Sequence, residues 1–145
     1  MALIATLTLN SAGQCTGYHG HPGSIDLVQT THTVGSGNYN VQFATRKFIR
    51  TSVPAVANVT LVDSSGSALA CKLQGPIVFT PYPTPVKFIY NVQFNIIVYA
   101  TQCLILGLCT TVPMDPNNSI LITVLADEYT ADGSLSHNHS NSAIK

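Results

Sequence analysis

One stretch alternates between apolar and polar positions more strongly than any other: residues 86–101, VKFIYNVQFNIIVYAT. The apolar members of the alternation are Val86, Phe88, Tyr90, Val92, Phe94, Ile96 and Val98. Successive side chains of a strand point to opposite faces, so the pattern predicts a β-strand with one apolar face. A strand this long would reach about 50 Å, beyond the roughly 40 Å width of a compact domain of this size. We therefore expect either that the segment bends at a bulge or that part of it projects onto a neighbouring subunit.

Shorter alternating segments predict further strands at 2–10, 24–34, 38–48, 56–63, 68–75 and 120–126, with a loop at 11–23 and a separate short apolar run, IVFT, at 77–80. Gly35-Ser36-Gly37 predicts a hairpin turn. The run PYPTP at 81–85 predicts an extended loop, because proline lacks the ladder donor. Roughly seven to nine antiparallel strands with little or no helix predict an all-β protein, a β-sandwich or jelly roll. We expect one domain over residues 1–135, followed by a polar C-terminal tail at 136–145.

Charge is scarce in this chain. Charged residues make up 8% of it and the net charge is +0, against about 25% charged residues in an average globular protein. A β-protein rich in Thr, Ser and Asn with so little charge is typical of extracellular, cell-surface or virion proteins. No basic excess favours nucleic acid. Residues 2–9 are read as a strand, so no export route is visible, and the amides in the uncharged segment 88–114 argue against a membrane span.

The four cysteines, Cys15, Cys71, Cys103 and Cys109, allow two disulfides or buried free thiols. Free thiols are favoured because Cys71 lies on an apolar face of its predicted strand. If Cys103 and Cys109 formed a bridge, the loop between them would be an apolar docking tip. That tip would consist of Leu104, Ile105, Leu106 and Leu108.

The histidines offer the one metal-ligand pattern of the sequence. His-x-His occurs twice, at His19 and His21 and at His137 and His139. Residues two apart on a strand face the same way, so each pair is a candidate metal site. Solvated loop histidines are the favoured interpretation, because no carboxylate lies nearby in the sequence.

Nothing in the sequence marks an enzyme. There is no GxSxG motif and no spaced pair of carboxylates of the glycosidase type. We therefore expect no catalytic residues and no cofactor. Residues 46–50, RKFIR, form the one basic cluster, which suits a phosphate, a sulfated sugar or an acidic patch; a solvated strand end is the favoured interpretation.

One segment resembles a known strand. Residues 35–43, GSGNYNVQF, contain Gly37-x-Tyr39-x-Val41-x-Phe43 and resemble the Gly-x-Tyr-x-Val-x-Phe strand of C1q/TNF-like trimeric jelly rolls. The resemblance covers nine residues and implies a jelly roll that forms oligomers.

These patterns together predict a non-enzymatic structural subunit. Copies would assemble through strand edges and apolar segments into an extracellular filament or fibre, or into the shell of a virus particle. The main partner would be the chain itself. The alternative is an oligomeric head that binds a carbohydrate or a receptor through its loops.

Overall fold

The chain folds into two four-stranded antiparallel sheets and one short two-stranded sheet. The computed structural model describes residues 1–19, 25–62, 68–83, 88–101 and 110–129. The strands are β1 (Ala2–Asn10), β2 (Cys15–His19), β3 (Ile25–His32), β4 (Asn38–Thr45), β5 (Phe48–Ile49), β6 (Val56–Val62), β7 (Leu69–Pro81), β8 (Tyr90–Ala100), β9 (Ser119–Ala126) and β10 (Glu128–Tyr129). This all-β architecture confirms the predicted fold class.

The strand order of each four-stranded sheet pairs early strands of the chain with late ones, in a β-sandwich. The first sheet, sheet A, has the order β2-β1-β9-β6, and the second, sheet B, has the order β3-β4-β8-β7. In the described strands β1 pairs with the late strand β9, and β4 pairs with β8, which precedes β9. Folding an antiparallel ribbon over itself produces this nesting of early strands with late ones.

The core lies between the two sheets and takes alternate residues from the central strands. β9 contributes Ile120, Ile122, Val124 and Ala126, which are all fully buried. β4 contributes Tyr39, Val41 and Phe43, as its alternation predicts. β1 adds Ile4, Leu7 and Leu9 from the facing sheet. Burial of one such large side chain stabilises the fold by about 1.5–3 kcal/mol.

The most strongly alternating segment is a core strand of a single chain. β8 runs from Tyr90 to Ala100, so the predicted strand over 86–101 was too long. Val92, Phe94, Ile96 and Val98 are buried between the sheets, Phe88 is buried just before the strand, and Tyr90 is half-buried. Val86 lies outside the described residues. One copy of the chain therefore covers the described apolar face of β8, and an assembly surface has to be sought elsewhere.

Two other predicted boundaries are also corrected. The segment 11–23, predicted as a loop, contains the edge strand β2. The segments at 68–75 and 77–80 belong to one strand, β7, which continues through an irregularity between Gln74 and Val78. Gly75 has a φ of 77° there, a conformation that glycine adopts without strain. Pro81 ends β7, where the edge position requires no ladder donor from it.

A small sheet closes one end of the sandwich. β5 and β10 pair through Ile49 with Glu128 and Phe48 with Tyr129. The N–H of Arg50 donates to the backbone oxygen of Asp127 at 2.7 Å. The described residues contain no α-helix long and apolar enough to cross a bilayer. The proposed tail at 136–145 lies outside the described part of the chain.

Candidate functional site

Three of the four edge strands carry features that discourage pairing with another chain. β2 is five residues long and shifts register against β1. β3 carries Asp26 and an irregularity that begins there. β7 carries Lys72, two prolines and its own irregularity. Short length, charge, proline and bulges are the devices by which natural sheets protect their edges.

The fourth edge strand, β6, has none of these features. Its sequence, VANVTLV, contains no charge, no proline and no glycine. Its register against β9 runs without a shift from Val56 opposite Leu125 to Val62 opposite Ser119. Among the described strands β6 pairs only with β9. A regular, uncharged and aliphatic edge of this kind is a template for another strand.

Beside the β6 edge lies an open cleft of about 430 Å³. Residues 57–60 of β6 and 71–73 of β7 line it. Val59, Cys71 and Leu73 are half-buried and pack against the core from these two strands. The two strands lie close together, but among the described residues β7 forms no ladder with β6 and so does not occupy its pairing positions.

The outer face of sheet A, like β6, carries exposed aliphatic and threonine side chains. Leu3 and Val56 flank Leu125 from opposite sides, and Thr8 and Thr60 flank Leu121 in the same way. The exposed fractions are 44% for Leu3, 43% for Val56, 48% for Val62 and 38% for Leu121. These side chains form an aliphatic and threonine surface that no charged residue of β1, β6 or β9 interrupts.

Several charged side chains gather at the end of the sandwich that β5 and β10 close. Lys47 Nζ lies 3.0 Å from Glu128 Oε2, and both side chains are about nine-tenths buried. The Met1 ammonium lies 3.6 Å from Asp127 Oδ1. The Arg46 guanidinium lies 5.5 Å from the centroid of the Phe88 ring. The basic cluster at 46–50 therefore makes internal contacts through Lys47 and Arg46 and is not a free cationic patch.

The outer face of sheet B carries amide side chains on three adjacent strands. Asn40 Nδ2 donates to Asn95 Oδ1 at 2.8 Å, and Gln93 Nε2 donates to Asn40 Oδ1 at 3.4 Å. In the next row, Asn91 Nδ2 donates to Gln42 Oε1 at 3.3 Å, and Gln42 Nε2 donates to Gln29 Oε1 at 3.0 Å. We call these six residues and the neighbouring Asn38 and Gln74 the amide face.

One end of the amide face is concave. A cavity of about 260 Å³ opens there, and its polar lining is Thr31, Thr33, Asn38, Asn40, Gln74 and Asn95. His32 also lines it, with its ring stacked on Tyr39 at a centroid distance of 4.3 Å. His32 Nε2 is 2.9 Å from the backbone oxygen of Ser36. Tyr39 donates from its hydroxyl to Ser11 O at 3.0 Å, and burial raises its pKa.

The sequence carries a signal for the amide face. The tetrapeptide Asn-Val-Gln-Phe occurs at 40–43 and again at 91–94. β4 and β8 pair antiparallel with Gln42 opposite Gln93, and Val41 lies opposite Phe94 while Phe43 lies opposite Val92. The two tetrapeptides therefore pair with approximate local two-fold symmetry. Their Val and Phe side chains point into the core, and their Asn and Gln side chains point outward.

Of the four cysteines, Cys15 and Cys71 lie in the described residues, and both are half-buried free thiols. Cys15 Sγ is 3.3 Å from the backbone oxygen of Gly17. Burial raises the pKa of Cys71 to about 11, which keeps its thiol protonated at neutral pH. Cys103 and Cys109, and with them the docking tip at Leu104, Ile105, Leu106 and Leu108, lie outside the described part.

The candidate metal ligands are not brought together in the described structure. His19 ends β2, while His21, His137 and His139 fall outside the described ranges. Within those ranges no group of three or more His, Cys, Asp or Glu side chains is placed to hold a metal ion. The histidine metal site stays a prediction.

Comparison with known protein families gives one match. Residues 8–141 match the model of a family described as Coxiella burnetii protein of unknown function (DUF807). The chain belongs to this family. Membership of DUF807 assigns no activity, so the function has to be argued from the surfaces described above. Neither the curated proteins nor the solved structures contain a significant match to this DUF807 chain, and the C1q/TNF-like resemblance remains one of nine residues.

Proposed function

We propose that this DUF807 protein is a non-enzymatic structural subunit whose copies join through β-strand edges. The edge of β6 is the primary contact, and the aliphatic outer face of sheet A extends it. The assembly is an extracellular or cell-surface filament or fibre, or the shell of a virus particle. The observation that carries the proposal is that β6 alone, among the described edge strands, combines an uncharged, proline-free sequence with an unbroken register over seven residues.

The electrostatics of the chain support this proposal. Self-repulsion between copies is weak because the net charge is +0. The described ion pairs lie at the end that β5 and β10 close, and β1, β6 and β9 carry no charged residue. Approach of two β6 edges therefore desolvates no charged side chain of those strands, while it satisfies backbone N–H and C=O groups that otherwise need water.

The non-enzymatic part of the proposal is supported by the lining of the amide cavity. The amide cavity contains one side chain suited to acid–base chemistry, His32, which is engaged with Ser36 and stacked on Tyr39. Neither a carboxylate nor a thiol lines that cavity. A nucleophile with an adjacent base is thus not assembled there.

Charge placed on the β6 edge tests the proposal. In the double variant Val56→Lys/Val62→Lys, two lysines replace side chains that are already 43% and 48% exposed, so folding is retained. We expect size-exclusion chromatography with light scattering to give a multimer for the wild type and a single-chain mass for the variant. Like charges facing each other across the contact weaken it by about 100-fold or more.

Val34→Lys is the matched control, because Val34 is 91% exposed but lies in the turn between β3 and β4. It should leave the multimer unchanged. A wild type that stays a single chain at high concentration contradicts the proposal, and so does a multimer that tolerates both lysines on β6.

A further inference from the structure

We propose that the concave end of the amide face binds an uncharged glycan. The site is the cavity of about 260 Å³ lined by Thr31, Thr33, Asn38, Asn40, Gln74 and Asn95. It lies on sheet B, whereas the β6 edge lies on sheet A. The proposal of a glycan site therefore does not depend on the proposal of assembly through β6.

The amide network fixes the wall of this cavity before any ligand arrives. Asn40 donates to Asn95 and accepts from Gln93, so two residues of β8 hold its side chain. It stands on β4, a central strand whose neighbouring side chains Tyr39 and Val41 are buried in the core. Because these side chains are already ordered, less of their conformational entropy is lost when a ligand binds.

The network also leaves hydrogen-bonding groups open at the cavity. Asn95 accepts through Oδ1 from Asn40, and within the described structure its Nδ2 group makes no hydrogen bond. Gln74 stands opposite Asn95 on β7 and lines the same cavity, and its amide has no hydrogen bond to any described residue. Each primary amide offers both donors and an acceptor, so the cavity presents the two kinds of group side by side.

The lining selects the class of ligand by its charge and polarity. No lysine, arginine or carboxylate lines the cavity, so neither an anion nor a cation gains a charge-assisted bond there. An apolar ligand would strip water from the six polar side chains without replacing their hydrogen bonds. A ligand with neighbouring hydroxyl groups, each of which donates and accepts, matches the amides and the threonine hydroxyls. Those properties describe a neutral sugar.

The cavity volume suits one end of an oligosaccharide chain, because sites for larger, drug-sized ligands measure about 300–1,000 Å³. No exposed aromatic ring of the described residues provides a stacking platform in it, since the His32 ring is already stacked on Tyr39. We therefore expect weak binding per site, near a dissociation constant of about 1 mM.

The experiment is an NMR titration of the single-chain variant Val56→Lys/Val62→Lys, or of the wild type if that proves to be a single chain. The probes are maltotriose, cellotriose, chitotriose and mannotriose. Side-chain NH₂ groups of Asn and Gln give their own ¹H–¹⁵N signals, so the amide face reports directly. We expect at least one of the trisaccharides to shift the signals of Asn40, Gln74 and Asn95 in a saturable way.

Asn95→Ala and Gln74→Ala each remove an exposed amide and should weaken binding by about 5- to 10-fold. Asn117→Ala is the matched control, because it removes an exposed amide from the turn before β9 and should leave binding unchanged. The proposal is overturned if none of the four sugars gives saturable shifts at tens of millimolar. It is also overturned if the shifts lie elsewhere, or if an extended neutral peptide shifts the amide face and the sugars do not.

Discussion

Gly37 occupies a position where a side chain has no room. A Cβ atom there would lie 2.4 Å from the backbone oxygen of Val112 and 2.5 Å from that of Val98. These are backbone atoms, and they are held by hydrogen bonds, since Val98 N donates to Gly37 O at 2.8 Å and Val112 N donates to Val98 O at 2.9 Å. The clash cannot be relieved by rotation of a side chain.

We expect Gly37→Ala to lower the free energy of unfolding by about 3 kcal/mol, because overpacking against fixed atoms forces the backbone to move. Urea unfolding at equilibrium measures the change. Gly17→Ala is the control, since a Cβ at Gly17 meets nothing within 4 Å. Gly17→Ala should leave the free energy of unfolding unchanged or raise it by less than about 1 kcal/mol. Alanine loses less backbone conformational entropy than glycine when the strand forms. Equal effects of the two substitutions would rule out the crowding at Gly37.

Which residues are buried was largely predictable from the sequence. The alternating apolar sets Tyr39, Val41 and Phe43, Val92, Phe94, Ile96 and Val98, and Ile120, Ile122, Val124 and Ala126 all face the core. Alternation with a period of two is set by the strand's own residues, so it can be read from the sequence without knowing which strands pair. The amide face was not predicted, because it depends on register. Gln42 meets Gln29 and Asn91 only through strands that are 13 and 49 positions away in the chain.

The strand pair β5 and β10 shows how a short element depends on a single ion pair. Two residues from each strand pair in this sheet, so backbone bonds alone give it little stability. Lys47, just before β5, reaches Glu128 at the start of β10 at 3.0 Å. The side chains are 11% and 10% exposed, so water cannot replace either partner.

We expect Lys47→Met to lower the free energy of unfolding by about 3 kcal/mol, because it leaves the Glu128 carboxylate buried without its partner. Arg46→Met removes a neighbouring cation that is exposed and lies over the Phe88 ring, and should cost about 1 kcal/mol or less. Urea denaturation of both variants measures the difference. If the double variant Lys47→Met/Glu128→Leu stays as unstable as Lys47→Met, the unpaired carboxylate is not the cause.

The boundaries of the strands were harder to predict than their existence. β2 was missed because CTGYH is short, contains glycine and shows no clean alternation. β7 was predicted as two segments because Gly75 and Pro76 interrupt the alternation. The strand continues past them through an irregularity in its pairing with β8. β8 was overextended because Phe88 is buried like a strand residue although it precedes the strand. Just before the strand, the backbone of Ile89 still donates to Thr45 O and accepts from Tyr82 N.

Across the whole molecule, protection of the sheet edges is uneven. Bulges, charge, proline or short length mark β2, β3 and β7, and the seven-residue strand β6 has none of them. The sequence predicted excess apolar surface and assigned it to the segment at 86–101. The apolar face of the described part of that segment is core. The aliphatic surface that one copy leaves uncovered lies instead on β6 and the outer face of sheet A, because only the pairing of β6 with β9 and of β9 with β1 brings it together.

Hydrogen exchange of the β6 amides tests edge pairing most directly. In a single chain, the amides of residues 56–62 that point away from β9 face solvent and exchange fast, while the alternate amides are held in the ladder. When a second chain pairs with β6, both sets become protected, so we predict that the fast set slows as protein concentration rises. In Val56→Lys/Val62→Lys that set should stay fast. If it exchanges at the single-chain rate at every concentration of the wild type, β6 does not pair between copies and the assembly proposed here is contradicted.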